Sequence, residues 1–303
     1  MLLKWAGGKR QLLPRIRGFY PDRFGTYVEP FFGSGAVFFD LHASGRLRGR
    51  RAVLVDSNAD LIGCYEAVRD CPDAVGDALD ALADAHAQRG RAHYYAVRDD
   101  QFNPLRLRLR DARGRIAYTP ALAAMLIYLN RTGFNGLFRL NARGAFNVPA
   151  GRYDRPRIAN RETLARVAEA LSAGGVRLVC GSFEYAEKVA RIGDFVYCDP
   201  PYAPVSATAN FTSYTAPGFD GDAQRRLQQM VIRLAARGCR VLVSNSTADA
   251  IAALYERDDD ARAAGLRTLR VPARRAINSN AARRGVVEEY LIYNDVGGAA
   301  IKN

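Results

Sequence analysis

The chain has 303 residues, 49% of them hydrophobic, enough for one large domain or a core domain carrying a sizeable insertion. Lysine and arginine exceed aspartate and glutamate by 44 − 31 = 13, almost all of it arginine, and such a surplus favours a polyanionic partner such as nucleic acid. No apolar run approaches the roughly 20 residues of a membrane span, the opening residues lack a secretory signal, and the three histidines stand at no metal-ligand spacing; a cytoplasmic protein without a metal or a membrane partner is expected.

In chain order, the first β-branched run is "TYVEPF" (26–31), followed by a glycine turn, Gly33-Ser34-Gly35, and the helix-like "GAVFFDLHA". Glycines at a strand-to-helix turn let the backbone approach a ligand and aim free amides at it. The second run, "AVLVD" (52–56), ends in Asp56, 21 residues beyond Gly35, where a carboxylate can accept from ribose hydroxyls. Turn and acid together predict an adenosine-type ligand. A dinucleotide-binding G-x-G-x-x-G is disfavoured because its third glycine position holds Phe38. S-adenosylmethionine, an adenosine without phosphate, tolerates that bulk, so a methyl donor is the expected cofactor, with S-adenosylhomocysteine as product.

The alternation of strands and helices breaks between about residues 76 and 160, an interval rich in Arg, Gly, Asn and Tyr that reads as an inserted subdomain around one apolar helix, 119–129. Within it "LRLRLRDARGR" (105–115) alternates apolar and basic residues; a solvated hairpin is expected there ahead of a nucleic-acid contact arm. No internal repeat is visible. The strand-like runs then resume: "VRLVCGS" (176–182), "FVYCD" (195–199), "RVLVSNS" (240–246), "LRTLRVP" (266–272) and "VVEEYLIYN" (286–294), the last two without a helix between them. This pattern predicts a mostly parallel α/β sheet with helices on both faces, closed by a hairpin. Five cysteines without a C-x-x-C pair suggest buried thiols rather than a disulfide frame.

The run "FVYC" ends in Asp199-Pro200-Pro201-Tyr202. An acid at a carboxyl strand edge sits where open α/β sheets bind ligands, and two prolines restrict the chain and leave carbonyls free of local donors. Transfer of a methyl group to an exocyclic base amine needs the amine lone pair. Two acceptors on the amine hydrogens, the Asp199 carboxylate and the Pro200 carbonyl, free that pair for attack. Tyr202 offers a flat face to a base extruded from a duplex.

With these residues assembled, the sequence resembles the Dam-type DNA N6-adenine methyltransferases. The matching segments are "LKWAGGK" (3–9), "VEPFFGSG" (28–35), "LVDSNADLI" (54–62), "LNRTGFNGLFRLNARGAFNVPAGRY" (129–153) and "VYCDPPYAPVSATANFTSY" (196–214), in the family's order. The resemblance implies a Rossmann-like seven-stranded methyltransferase sheet with one antiparallel strand and a mainly helical target-recognition domain inserted in it: residues 1–75 and 161–303 for donor binding and catalysis, 76–160 for DNA. It implies donor contacts by Trp5, Ala6, Gly7, Lys9, Phe32, Gly33, Ser34, Gly35, Asp56, Phe183 and Asp199, and catalysis by Asp199, Pro200 and Tyr202. For double-stranded DNA it implies Phe134 as an aromatic inserted beside the flipped adenine, Leu137 and Arg139 reading later base pairs of GATC, and Lys4 reading the first guanine. Asn135, Asn147, Pro149, Arg152 and Tyr153 fall in the same contact surface. A monomer acting at GATC is expected, against a relative with another DNA or RNA target or a catalytically lapsed DNA-binding regulator. Two departures stand out: Ser182 replaces an aspartate expected at the donor adenine amine, and the segment around 103–115 is longer than the family pattern.

Overall fold

The computed structural model describes residues 2–5, 7–112, 114–203, 219–274 and 286–294. Ala6 and most of the segment following Tyr202 to Ala203 lie outside them, so the donor contact expected of Ala6 is not described. In chain order the elements are α1 (Leu13–Ile16), β1 (Tyr27–Glu29), α2 (Ala36–Ala43), β2 (Ala52–Asp56), α3 (Ala59–Asp70), α4 (Pro72–Ala96), α5 (Asn103–Arg108), α6 (Pro120–Thr132), α7 (Arg161–Ser172), β3 (Val176–Cys180), α8 (Tyr185–Val189), β4 (Phe195–Cys198), α9 (Gly221–Ala236), β5 (Arg240–Ser246), α10 (Asp249–Tyr255), α11 (Asp259–Ala263), β6 (Leu266–Arg274) and β7 (Val286–Asn294).

The strands form one seven-stranded sheet of order β3-β2-β1-β4-β5-β7-β6. β1 is parallel to β2 and β4, and β4 to β5, while β7 runs antiparallel to both β5 and β6. The expected mixed Rossmann-like sheet is therefore present, and the closing hairpin inserts its second strand, not its first, next to β5. Every residue of β1 and β4 is buried, as central parallel strands covered on both faces require.

By internal packing the chain divides into two compact units. One comprises Met1–Gly8, Gly33–His42 and Asn58–Cys180; the other comprises Lys9–Phe32, Ala43–Ser57 and Gly181–Asn303.

In the first unit α6 is buried on nearly every side, from Leu122 to Asn130, and packs against α3 and α4. Thr119 caps it by accepting from the Leu122 amide, and Pro120 occupies the first turn, where its missing N–H costs nothing. Tyr128 of α6 meets His86 of α4 at 2.8 Å, and Tyr94 of α4 donates to the Val148 carbonyl at 2.9 Å. The segment expected as a hairpin over 105–115 is different. Residues Asn103–Arg108 are helical, Asn103 binding the Phe146 backbone twice, at 2.8 and 3.0 Å. Arg106 is buried and forks onto Asp60 of α3 at 2.6 and 2.7 Å, with a third bond to the Gly144 carbonyl at 2.6 Å. The alternation misled because one of its arginines has a buried carboxylate to satisfy, so the pattern does not report a strand with one wet face. Only the tip, closed by a single bridge between Arg110 and Ile116, is hairpin-like.

In the second unit, α9 presents Leu227, Met230, Val231 and Leu234 inward at helical spacing, and Asp220 caps its first turn at 2.9 Å from the Ala223 amide. All five cysteines are free; Cys64, Cys198 and Cys239 are buried, Cys71 and Cys180 exposed. No helix among the described residues is long and apolar enough to cross a membrane.

Candidate functional site

In the second unit β4 carries the chain to Asp199 at the carboxyl edge of the sheet. The Asp199 carboxylate meets the Lys9 ammonium at 2.7 Å, Lys9 being almost fully buried. Burial pushes the carboxyl up to about 6, against the pull of Lys9 in the other direction, with Glu289 adding a smaller upward push. The Lys9 ammonium also lies 4.5 Å from the centre of the Tyr202 ring. Tyr202 in turn donates its hydroxyl to Glu289 at 2.7 Å, and burial together with these two carboxylates holds its phenol well above the ordinary range, hence neutral.

The backbone after Pro200 is held from α9 and β5. Gln224 donates to the Pro201 carbonyl at 2.9 Å and accepts from buried Asn245 at 3.1 Å; Ser246 donates to the Ala203 carbonyl at 2.7 Å. Among the described residues nothing donates to the Pro200 carbonyl. The site thus has a carboxylate, a carbonyl one residue on that no described residue bonds to, and an oriented ring. Gln224, Asn245, Ser246 and Glu289 were missed in the sequence. Ser244, Asn245 and Ser246 are all fully buried at the end of an otherwise apolar strand, and that polar triplet was the available signal. Glu289 had none, because only the β5–β7 register sets it opposite Ser246.

Phe32, buried, bonds through its amide to the Val55 carbonyl at 2.9 Å, and Gly181 bonds to the Asp56 carbonyl at 2.9 Å, which sets Asp56 at the end of β2. Phe183 is buried, its ring stacked on Phe31 at 5.3 Å, with Phe219 edge-on to both. Ser182 donates to the carboxylate of Glu184, which also pairs with Arg226 at 3.1 Å. An acid is therefore present two residues beyond the position where it was expected.

In the first unit, Gly33 and Gly35 take φ of 48° and 65°, left-handed values that glycine adopts without strain, and the Gly35 carbonyl accepts from Phe39 as α2 begins. Ser34 between them is buried, and Phe38 is fully buried at the third position of the turn motif. Gly7 has φ 78°, closing a turn in which Gly8 bonds to the Trp5 carbonyl at 3.1 Å; the Trp5 ring stacks on Phe138 at 6.1 Å.

Of the residues expected to meet DNA, Lys4 is held by Asn130 of α6. Asn130 accepts from the Lys4 amide at 2.7 Å and donates to the Lys4 and Gly136 carbonyls at 2.8 and 2.9 Å. Gly136 has φ 64°, and a Cβ there would sit 2.3 Å from that of Lys4, so only glycine lets these two segments approach. The Lys4 ammonium lies 4.0 Å over the Tyr153 ring. Phe134 and Tyr153 are among the most exposed large apolar side chains. Asn135 alone among described non-glycine residues has positive φ, 54°. Arg139, exposed, donates to the Asn147 side chain at 2.8 Å, and Pro149 accepts from the Phe134 amide at 2.9 Å. Arg152 is exposed, whereas Leu137 is buried. No cluster of metal-ligating side chains occurs among the described residues.

Residues 5–273 match the family described as D12 class N6 adenine-specific DNA methyltransferase. The chain is 36% identical over 293 residues to the type II methyltransferase M1.LlaDCHI of Lactococcus lactis subsp. cremoris, covering 96% of this chain and 94% of that one. It is 36% identical over 303 residues to the type II methyltransferase M.MjaIII of Methanocaldococcus jannaschii, covering 96% and 98%. The DNA adenine methylase of Escherichia coli K12 is 38% identical over 291 residues, covering 95% and 93%.

Proposed function

The chain belongs to the D12 class N6 adenine-specific DNA methyltransferase family, and from that premise we propose that it moves a methyl group from S-adenosylmethionine to N6 of an adenine flipped out of double-stranded DNA, within GATC. The observation that carries the proposal is the Asp199 carboxylate beside a Pro200 carbonyl that receives no hydrogen bond among the described residues, over a Tyr202 ring fixed by Glu289. Each acceptor takes one hydrogen of the adenine amine. The nitrogen becomes pyramidal and turns its lone pair toward the methyl carbon, while the base lies on Tyr202.

Asp199 is chiefly an orienting and charge-stabilising group. With its carboxyl held at about 6, it is ionised near neutral pH and takes the proton only after transfer, when the nitrogen is cationic. Lys9 keeps that buried carboxylate charged. The residues proposed to hold the donor fit an adenosyl ligand without phosphate: two left-handed glycines with buried Phe38 behind them, and Asp56 for the ribose hydroxyls. Trp5, Gly7 and Ser34 complete that set, as do Phe32 and Phe183. The bound donor supplies an electrophilic methyl on sulfonium sulfur; the protein supplies position. DNA recognition is assigned to residues 76–160, with 1–75 and 161–303 as the catalytic domain, and to Lys4, Phe134, Asn135, Leu137, Arg139, Asn147, Pro149, Arg152 and Tyr153. The protein is proposed to act as a cytoplasmic monomer.

The test is to incubate the protein with duplex DNA and donor, then digest with endonucleases that differ in sensitivity to adenine methylation at GATC. Protection by the wild type and none by Asp199→Ala, with DNA binding retained, is expected. Comparable turnover by the variant would refute the role of the acid; unprotected sites despite donor binding would refute the target sequence.

A further inference from the structure

The first unit contains the same hairpin tip twice, 30 residues apart. In one copy, Asp111 bonds to the Arg115 carbonyl at 2.8 Å, Gly114 to the Asp111 carbonyl at 2.9 Å and Ala117 to the Leu109 carbonyl at 3.2 Å. In the other, Asn141 bonds to Ala145 at 2.9 Å, Gly144 to Asn141 at 2.8 Å and Asn147 to Arg139 at 3.1 Å. The side chains of Asp111 and Asn141 accept from the Arg115 and Ala145 amides at 2.8 and 3.0 Å. Gly114 and Gly144 have φ of 78° and 76°, and Ile116 and Phe146 point into the core from equivalent places. The two copies are fastened together: the Arg106 bond to the Gly144 carbonyl roots one on the other, and the Arg110 guanidinium lies 3.3 Å from the position a Cβ would take on Gly114 and 3.8 Å from that on Gly144.

The copies differ where sequence is read. The second carries Arg139 and Asn147, hydrogen-bonded to each other and assigned above to base contact; the first has Leu109 and Ala117 there, which offer no side-chain donor or acceptor to a base edge. It carries exposed cations that the second copy lacks: Arg108, Arg110 and Arg115 stand where the second copy has Phe138, Leu140 and Ala145, the charge of Arg115 being shared with Asp111 at 3.3 Å.

We propose that the hairpin 109–117 is a second DNA-binding arm that holds backbone phosphates outside the target site, beside the base-reading hairpin 139–147. The inference rests on the DNA reading above. Phosphate contacts fix register and add affinity without sequence information, which is what a copy lacking the Arg-Asn pair and carrying exposed arginines of its own supplies.

The test compares binding of two duplexes, one ending close to the target and one extended by about 10 base pairs, one helical turn, on each side. Wild type is expected to bind the extended duplex more tightly and with a steeper salt dependence. Arg108→Gln/Arg110→Gln should lose most of that gain and flatten the slope of log K against log salt on the extended duplex by about 1.8, two phosphates' worth. Its preference for target over non-target sequence should stay within about twofold, since phosphate carries no base identity. Arg108→Lys/Arg110→Lys should restore the slope, which separates lost charge from misfolding. An unchanged slope in the glutamine variant, no flank-dependent gain in wild type, or failure of lysine to restore it overturns the proposal. If the wild type binds with these flank and salt effects but protects no GATC site, the methylation reading fails and the arm stands; if sites are protected and the variants are indistinguishable, the reverse holds.

Discussion

At the scale of single residues, Asp199 carries opposed demands. Burial raises its carboxyl while Lys9 draws it down, leaving it at about 6. A raised carboxyl is protonated below that value and then offers a donor where the proposed mechanism needs an acceptor for the adenine amine. The single-turnover transfer rate is therefore expected to climb with pH up to about 6 and level above it. Lys9→Met removes the group that lowers the carboxyl, so at saturating donor the midpoint should move to higher pH; a midpoint that stays or falls would show that the acid is not the titrating group. Glu289 acts through Tyr202. Removing the acceptor of a buried hydroxyl costs on the order of 1.5–3 kcal/mol, so Glu289→Ala should slow transfer at saturating substrates roughly 10- to 100-fold. Because its contact is with the ring proposed to face the base, the donor KM should change little, and a purely structural role would move both.

At the scale of elements, the buried pair between Arg106 of α5 and Asp60 of α3 ties together two segments far apart in sequence. Arg106→Ala leaves a buried carboxylate with Tyr118 as its remaining side-chain donor among the described residues, at 2.9 Å, and should destabilise the first unit by about 3–5 kcal/mol. Denaturant unfolding followed alongside Arg106→Met/Asp60→Leu tests this, since replacing both charges with apolar groups is expected to recover most of the loss. Elements were legible to unequal degrees, for physical reasons. The strand runs 52–56, 240–246 and 286–294 coincide with β2, β5 and β7 because each carries a β-branched, apolar stretch, a local signal. Asp199 and Tyr202 stood out because two prolines after a strand are rare. The helix at Asn103–Arg108 and the Glu289 partner of Tyr202 were hidden because each depends on a contact 30 or more residues away. The four-residue likeness of "DARG" to "NARG" is too short to register as a repeat until matching hydrogen bonds give it meaning.

At the scale of the whole molecule, a net charge of +13 makes the chain a long-range target for a polyanion. Its association rate with duplex DNA should fall steeply between about 50 and 200 mM salt, with a smaller effect on the chemical step once bound. Stopped-flow binding at those salts reads this directly, and a flat association rate would mean that the arginine surplus does not steer DNA.

The order of strands at one sheet edge has a temporal consequence. β7 lies between β5 and β6 although it is made after both. β6 has no neighbour to its inner side until β7 arrives, and β7 brings Glu289, the partner of Tyr202. A ribosome-bound chain halted before residue 286 already carries its glycine turn, both hairpin tips and Asp199, yet lacks the strand that fixes the stacking ring. Truncation before residue 286 is therefore expected to leave Tyr202 without the acceptor that Glu289 supplies, so that ring is fixed only in the last stage of synthesis.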